Sequence, residues 1–203
     1  HDTTSFSLSA AMYFMAKHPE IQAKAREEIN SILCPNGEVN EDILPTLEQT
    51  KQFVYLNQII KEVLRIAGSV LFLVSPREVQ KDVYLNGVFI PKGSRVNIGL
   101  YELMHNPSVW DNPFEFNPER FSPGGEAEQK AGNGMSWVPF ANGNRQCIGM
   151  NFSLAEQRVL LSCILRKYEW TLPEDSIHKD YLKTSFSAIQ RPRHLNLTFK
   201  RRY

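Results

Sequence analysis

The chain has 203 residues, 42% of them apolar and 22% charged, with a formal net charge of +1. That length supports one sizeable core or two small ones. The even charge balance excludes a nucleic-acid binder driven by bulk electrostatics, and no apolar run is long enough to cross a bilayer.

The first residues, His1-Asp2-Thr3-Thr4-Ser5, lead into Phe6, Leu8, Ala11, Met12 and Met15. That spacing makes one apolar helix face and predicts a helix from about Asp2 to Lys17. No methionine or signal-peptide pattern opens the chain, and the stretch reads as a piece cut from a longer protein, so a membrane anchor in the parent stays open. Pro19 suits the first position of a second helix, striped by Ile21, Ala25, Ile29 and Ile32 or Leu33. Cys34 stands before the turn signal Pro35-Asn36-Gly37 and reads as an idle loop thiol. A third helix is predicted from Leu47 to Ile66, with Phe53, Leu56, Ile60, Val63 and Leu64 facing inward.

The period then changes. Val70–Val74 suits a buried strand, and Asp82–Phe89 and Ser94–Ile98 alternate like paired strands. Asn86-Gly87 between Tyr84-Leu85 and Val88-Phe89 is a hairpin signal. A short helix is expected near Leu100–His105, followed by an irregular stretch over Asn106–Met135. The last helix should run from Met150 to Tyr168, with Cys163 packed in its apolar face. Short strands are expected around Lys183–Ile189 and Leu195–Lys200. The odd cysteine count excludes a closed disulfide framework, and no Cys-x-x-Cys pair supports zinc.

The residues richest in chemistry run from Phe140 to Gly149: Phe-Ala-Asn-Gly-Asn-Arg-Gln-Cys-Ile-Gly. Cys147 lies between Gly143 and Gly149, just ahead of the last helix. Glycines permit a tight turn and close approach to a flat partner. A following helix aims unpaired amides and its positive dipole end back at the sulfur, which favours a thiolate. Such a thiolate can be a nucleophile, a redox thiol or a metal ligand; a buried structural cysteine is the bland alternative.

The spacing resembles Phe-x-x-Gly-x-Arg-x-Cys-x-Gly, the haem-binding signature of the cytochrome P450 family, matched here by Phe140, Gly143, Arg145, Cys147 and Gly149. The resemblance implies haem b (iron protoporphyrin IX) with Cys147 as axial metal ligand, Phe140 packed near it and Arg145 paired with a propionate. It also gives meaning to weaker patterns. Glu62-x-x-Arg65 alone describes an i,i+3 surface ion pair worth about 0.2–0.5 kcal/mol. With Pro118-Glu119-Arg120-Phe121, the resemblance implies a structural triad, Glu62 between Arg65 and Arg120, anchoring the 106–135 stretch against the third helix.

Asp2-Thr3-Thr4 matches the end of the family's central-helix motif. It implies catalytic roles for Asp2 and Thr3, relaying protons over the distal face of the haem; the same residue types also cap helices. Arg77, after Ser75-Pro76, stands where the family often holds a second propionate, and is otherwise a solvated strand-end charge. The usual Pro-Pro after the Glu-x-x-Arg helix is replaced by Ile66-Ala67-Gly68-Ser69. His105, before Asn106-Pro107, looks structural.

The resemblance covers the whole chain, 1–203, as the C-terminal half of a mainly α fold with small β-sheets. It implies a haem-thiolate monooxygenase acting on a lipid-like or other apolar substrate bordered by Val70–Val74 and Phe186–Ile189. Implied partners are an NADPH-dependent flavoprotein reductase, with cytochrome b5 as a further candidate, and the endoplasmic reticulum membrane at its cytoplasmic face. No nucleic-acid partner is expected. Within the chain, Gly132-Asn133-Gly134 lacks the third glycine of a dinucleotide site. The rival readings are a cysteine-nucleophile or redox-thiol protein, which needs a histidine base or resolving cysteine nearby, and a truncated product without turnover.

Overall fold

The computed structural model describes residues 1–37, 42–73, 75–130, 135–185 and 189–203. Three helices form its framework: α1 (Asp2–Lys17), α2 (Pro19–Leu33) and, further on, α4 (Val54–Ile66). Their apolar stripes meet over Ala10, Met15, Ile29, Leu56, Ile60 and Val63, all at most 1% exposed. The long C-terminal helix, α7 (Met150–Lys167), closes the same core with Leu161 and Leu165. The bounds of α1 and the Pro19 start of α2 agree with the sequence reading.

The predicted third helix is two. A short α3 (Leu47–Gln52), opened by a reciprocal Thr46–Gln49 capping box, stops before Phe53, and α4 starts after it. Phe53 is fully buried in a non-helical conformation (φ −72°, ψ 83°). The break is stabilised from outside. The Glu28 carboxylate of α2 accepts the amides of Tyr55 at 2.6 Å and Leu56 at 3.0 Å, filling two of α4's orphan donors. Phe53, Leu56 and Ile60 stay in phase across the break, so periodicity alone runs straight through it.

Among the described residues the strands form four antiparallel two-stranded ladders. β1 (Arg77–Glu78) pairs with β4 (Arg95–Val96), and β2 (Val83–Leu85) with β3 (Val88–Ile90). The hairpin turn is Asn86-Gly87, with φ of 47° and 79°, the left-handed pair that such a turn requires. The expected pairing of Ser94–Ile98 with Asp82–Phe89 is therefore corrected: the hairpin satisfies itself, and β4 folds back on β1. The Val70–Val74 strand reduces to one bridge, Phe72 to Gly99, with Val74 outside the described residues. Pro76, which offers no amide, follows closely.

A five-residue α5 (Leu100–Met104) precedes the irregular stretch. That stretch holds a 3-10 turn at Pro118–Phe121 and a short α6 (Glu126–Lys130) too brief to show a period. After α7, β5 (Tyr168–Thr171) follows without a break and pairs with β8 (Thr198–Arg201), while β6 (Thr184–Ser185) pairs with β7 (Arg191–Pro192). Cys34 is not an idle loop thiol: it is 8% exposed and accepts a hydrogen bond from Arg166 Nη2 at 3.1 Å. Cys163 is half-buried on α7, and burial pushes its thiol pKa up, in keeping with a packing role.

Candidate functional site

The loop ahead of α7 is folded by its own backbone. Phe140 packs on the main core, and its carbonyl accepts the Cys147 amide at 2.9 Å. Between them the chain reverses through Gly143 at φ 73°, where a side chain would be strained, and a 3-10 turn at Gly143–Arg145. The Asn142 side chain accepts the Gly143 amide at 2.7 Å. Cys147 ends the loop exposed, and its carbonyl accepts the Met150 amide at 3.3 Å as α7 begins. Trp137 Nε1 donates to the Lys61 carbonyl of α4 at 3.0 Å, tying the loop's approach to the core. That tether has no signature in the sequence beyond the tryptophan itself.

Cys147 opens onto a cavity of about 760 Å³, within the ~300–1,000 Å³ typical of ligand sites. Phe140 and Arg145 line it beside the thiol; Thr3, Thr4 and Ser7 line it from α1. Leu64, Val70, Leu73 and Leu100 supply apolar wall, and Arg77 lines it from β1. An exposed thiol, an apolar wall and two guanidiniums fit a large, flat, apolar group with anionic substituents and a metal that accepts sulfur. No cluster of three or more His, Cys, Asp or Glu side chains suited to a metal occurs among the described residues, so Cys147 stands as a single donor.

The proposed site residues divide. Phe140, Gly149, Arg145, Cys147, Arg77 and Thr3 all border the cavity. Gly143 shapes the loop from outside it. Asp2, on α1's first turn, does not line the cavity; its Oδ2 is 2.6 Å from Arg191 Nη2. Arg77 also donates from Nη1 to the Ser75 carbonyl at 2.8 Å. Of the suggested substrate border, Val70 and Leu73 line this cavity, while Leu71 lines a second one of about 770 Å³ bordered by Tyr13, Phe14, His105 and Phe116. Val74 and Phe186 lie outside the described residues, as do Gly132, Asn133 and Gly134.

The charged cluster beside α4 is assembled and deeply buried. Glu62 and Arg65 are 0% exposed and Arg120 is 5% exposed. Arg65 holds Glu62 in a two-pronged pair, Nε to Oε2 at 2.7 Å and Nη2 to Oε1 at 2.8 Å. Its remaining donor capacity goes to the carbonyls of Met104 at 3.0 Å, Pro113 at 2.8 Å and Glu115 at 3.4 Å. Glu62 Oε1 also accepts the Asn117 amide at 3.0 Å. Burial pushes the Glu62 carboxyl pKa up, against the pull of the Arg65 hydrogen bonds. Arg120 Nε lies 3.4 Å from Glu62, an ionic contact, and its Nη1 pairs with Glu126. Glu126, which the sequence reading missed, makes the cluster a tetrad; the only signal for it is a carboxylate six residues after Arg120. The cluster pins the 106–121 segment to α4.

His105 is structural: buried between the rings of Tyr101 and Phe114, with Nδ1 2.8 Å from the Tyr101 carbonyl.

The fold and the site define a mainly helical protein that offers one loop cysteine to a large cavity. A family model described as Cytochrome P450 matches residues 1–199, and the chain belongs to that family. The chain is 38% identical to cytochrome P450 3A2 of Rattus norvegicus over 195 residues, 95% of this chain and 36% of that protein. It is 38% identical to cytochrome P450 3A5 of Homo sapiens over 170 residues, 84% of this chain and 32% of that protein. It is 36% identical to putative cytochrome P450 CYP13A5 of Caenorhabditis elegans over 205 residues, 100% of this chain and 37% of that protein. The chain thus spans about a third of the length of these curated relatives.

Proposed function

We propose that the chain is the haem-thiolate portion of a monooxygenase. The observation that carries this is the exposed Cys147 thiol opening onto a cavity of about 760 Å³ that Arg77 and Arg145 also line. Cys147 would be the axial ligand of haem b, and Arg145 and Arg77 would hold its propionates. Phe140 would bear on the ring, with Gly143 and Gly149 giving the loop its shape. The chemistry supplied by the group when bound is insertion of one oxygen atom from dioxygen into a C–H or C=C bond, the other leaving as water.

The chain's own residues do the rest. The loop ahead of α7 holds Cys147 at the cavity, its amide given to the Phe140 carbonyl and its carbonyl taking the Met150 amide, so that the sulfur is left to the group. Thr3 borders the cavity, and its hydroxyl would pass a proton inward. Asp2 serves as the acid behind it once its carboxylate leaves Arg191. Leu64, Val70, Leu73 and Leu100 exclude water and favour an apolar, lipid-like substrate. Two electrons come from an NADPH-dependent flavoprotein reductase, with cytochrome b5 as a further donor, at the cytoplasmic face of the endoplasmic reticulum. No helix of the described structure is long and apolar enough to cross a membrane.

The cysteine-nucleophile and redox-thiol readings find little support at the cavity. Neither Cys34 nor Cys163 lines it, and among the described residues the one histidine that does, His1, has Nδ1 3.4 Å from Asp2. The test is reconstitution of the haem-loaded protein at its full natural length, rather than of these 203 residues alone, with the reductase, NADPH and apolar substrates under isotopically labelled dioxygen. One labelled oxygen per product molecule is expected. NADPH-dependent product without the label contradicts the reading. A substrate titration that shifts the haem spectrum only with small charged ligands overturns the apolar class.

A further inference from the structure

Most helix serines with an assigned bond here follow one habit, and one breaks it. The hydroxyls of Ser7, Ser9, Ser31 and Ser162 each donate to the carbonyl three or four residues earlier, at 2.7–3.1 Å. That is how a helical serine ordinarily satisfies itself. Ser153, on the first turn of α7, reaches across the fold instead: its Oγ lies 2.9 Å from Thr4 Oγ1 on α1. Gln157, one turn further along α7, donates Nε2–H to the same Ser153 oxygen at 3.1 Å. Gln157 is 0% exposed and Thr4 6% exposed, while Ser153 between them is half-buried at the cavity wall.

The proton count leaves the string one hydrogen in excess. Ser153 Oγ accepts from Gln157, and one hydroxyl hydrogen occupies the Ser153–Thr4 contact. The two hydroxyls together carry two hydrogens, so one is left over. Thr4 and Ser153 both line the Cys147 cavity, and among the described residues neither hydroxyl has a further partner. The string therefore joins α1 to α7 at the cavity wall, six residues beyond the thiol, where Thr3 and Thr4 face the same space.

We propose that Ser153 is a positioning residue: pinned by Gln157, it clamps the start of α7 to Thr4 of α1 and so sets the spacing between the Cys147 loop and the α1 wall of the cavity. The proposal rests on the haem reading of that cavity. Without the clamp, Ser153 can return to the back-bonded state of the other serines, α7 is freed from α1 at its first turn, and the cavity loosens around whatever Cys147 holds.

The test uses the haem-loaded protein at its full natural length and the rate at which haem passes to an excess of apomyoglobin. Ser153→Ala and Thr4→Val should each speed haem loss about three- to tenfold, the effect of one net hydrogen bond. Because the two side chains act through one bond, the double variant should lose haem no faster than the faster single variant. Ser153→Thr keeps the hydroxyl and should retain a near wild-type rate. Gln157→Met removes the amide at similar volume and should reproduce the Ser153→Ala effect, which keeps the test open if one variant folds poorly. A wild-type rate in Ser153→Ala, or single effects that multiply in the double variant, overturns the clamp while a wild-type thiolate spectrum leaves the haem reading intact. A wild-type protein that takes up no haem overturns both.

Discussion

At the scale of single residues, burial decides what a charge is worth. Arg65→Ala strands the Glu62 carboxylate inside the protein and should lower unfolding stability by about 3–5 kcal/mol. Arg120→Ala should cost less, about 1–3 kcal/mol, because Arg120 meets Glu62 only at 3.4 Å and its other partners, Glu126 and the carbonyls of Asn112 and Glu115, belong to residues that are at least partly exposed. Denaturant unfolding of the holoprotein ranks the two; an equal or reversed order contradicts the geometry. His105 gives a pH dependence. Burial, with the Arg65 guanidinium adding to it, holds its imidazole pKa below the ordinary 6.5. Below that value the unfolded chain binds a proton that the folded chain resists, so stability from this group is full above about pH 6.5 and declines as pH falls. His105→Gln should flatten the acid side of a thermal-stability profile between about pH 7 and 5. The residues of the cluster were legible through the family resemblance that Glu62-x-x-Arg65 and Pro118–Phe121 carry; the local pattern alone describes a surface ion pair. Glu126 was not, since nothing in its neighbourhood says which distant cation it meets.

At the scale of elements, what the sequence makes legible is what local chemistry dictates. The β2–β3 hairpin could be read from Asn86-Gly87, because few other residue pairs tolerate two left-handed conformations in succession. The ends of α1 and the start of α2 could be read from phase and from Pro19. The break between α3 and α4 could not, because Phe53 keeps the helical phase while leaving the helix, and its support comes from Glu28, 25 positions earlier. That makes Glu28 a cap supplied by another helix. Glu28→Ala should destabilise the protein by about 0.5–2 kcal/mol, and hydrogen exchange should rise first at the amides of Tyr55 and Leu56. Uniform exchange along α4 contradicts the capping role. The β1–β4 pairing was misread for the complementary reason: two-residue strands carry too little alternation to choose a partner, and the choice is made by the chain's return after the hairpin.

At the scale of the whole molecule, the packing of the described residues leaves large apolar side chains in water. Ile148 beside the thiol is fully exposed, and Phe152 and Phe114 are 76% and 69% exposed. Exposed apolar surface of this kind promotes association. The 203-residue chain on its own is expected to bind haem weakly, turn over no substrate and aggregate; monodisperse, haem-saturated chain in sedimentation runs refutes this. The order of motifs along the chain made the family legible, because Asp2-Thr3-Thr4, Glu62-x-x-Arg65, Pro118–Phe121 and the Cys147 loop each report a local need. The meeting of Thr3 with the Cys147 loop at one cavity is a property of the fold alone, as is the diversion of Asp2 to Arg191. The central claim is a bond from the Cys147 sulfur to haem iron. Its most direct test is the carbon-monoxide difference spectrum of the reduced holoprotein, recorded beside Cys147→Ser. The account predicts a red-shifted thiolate-type band that is lost in the variant; a band that survives the substitution, or a holoprotein that never shows it, contradicts the account.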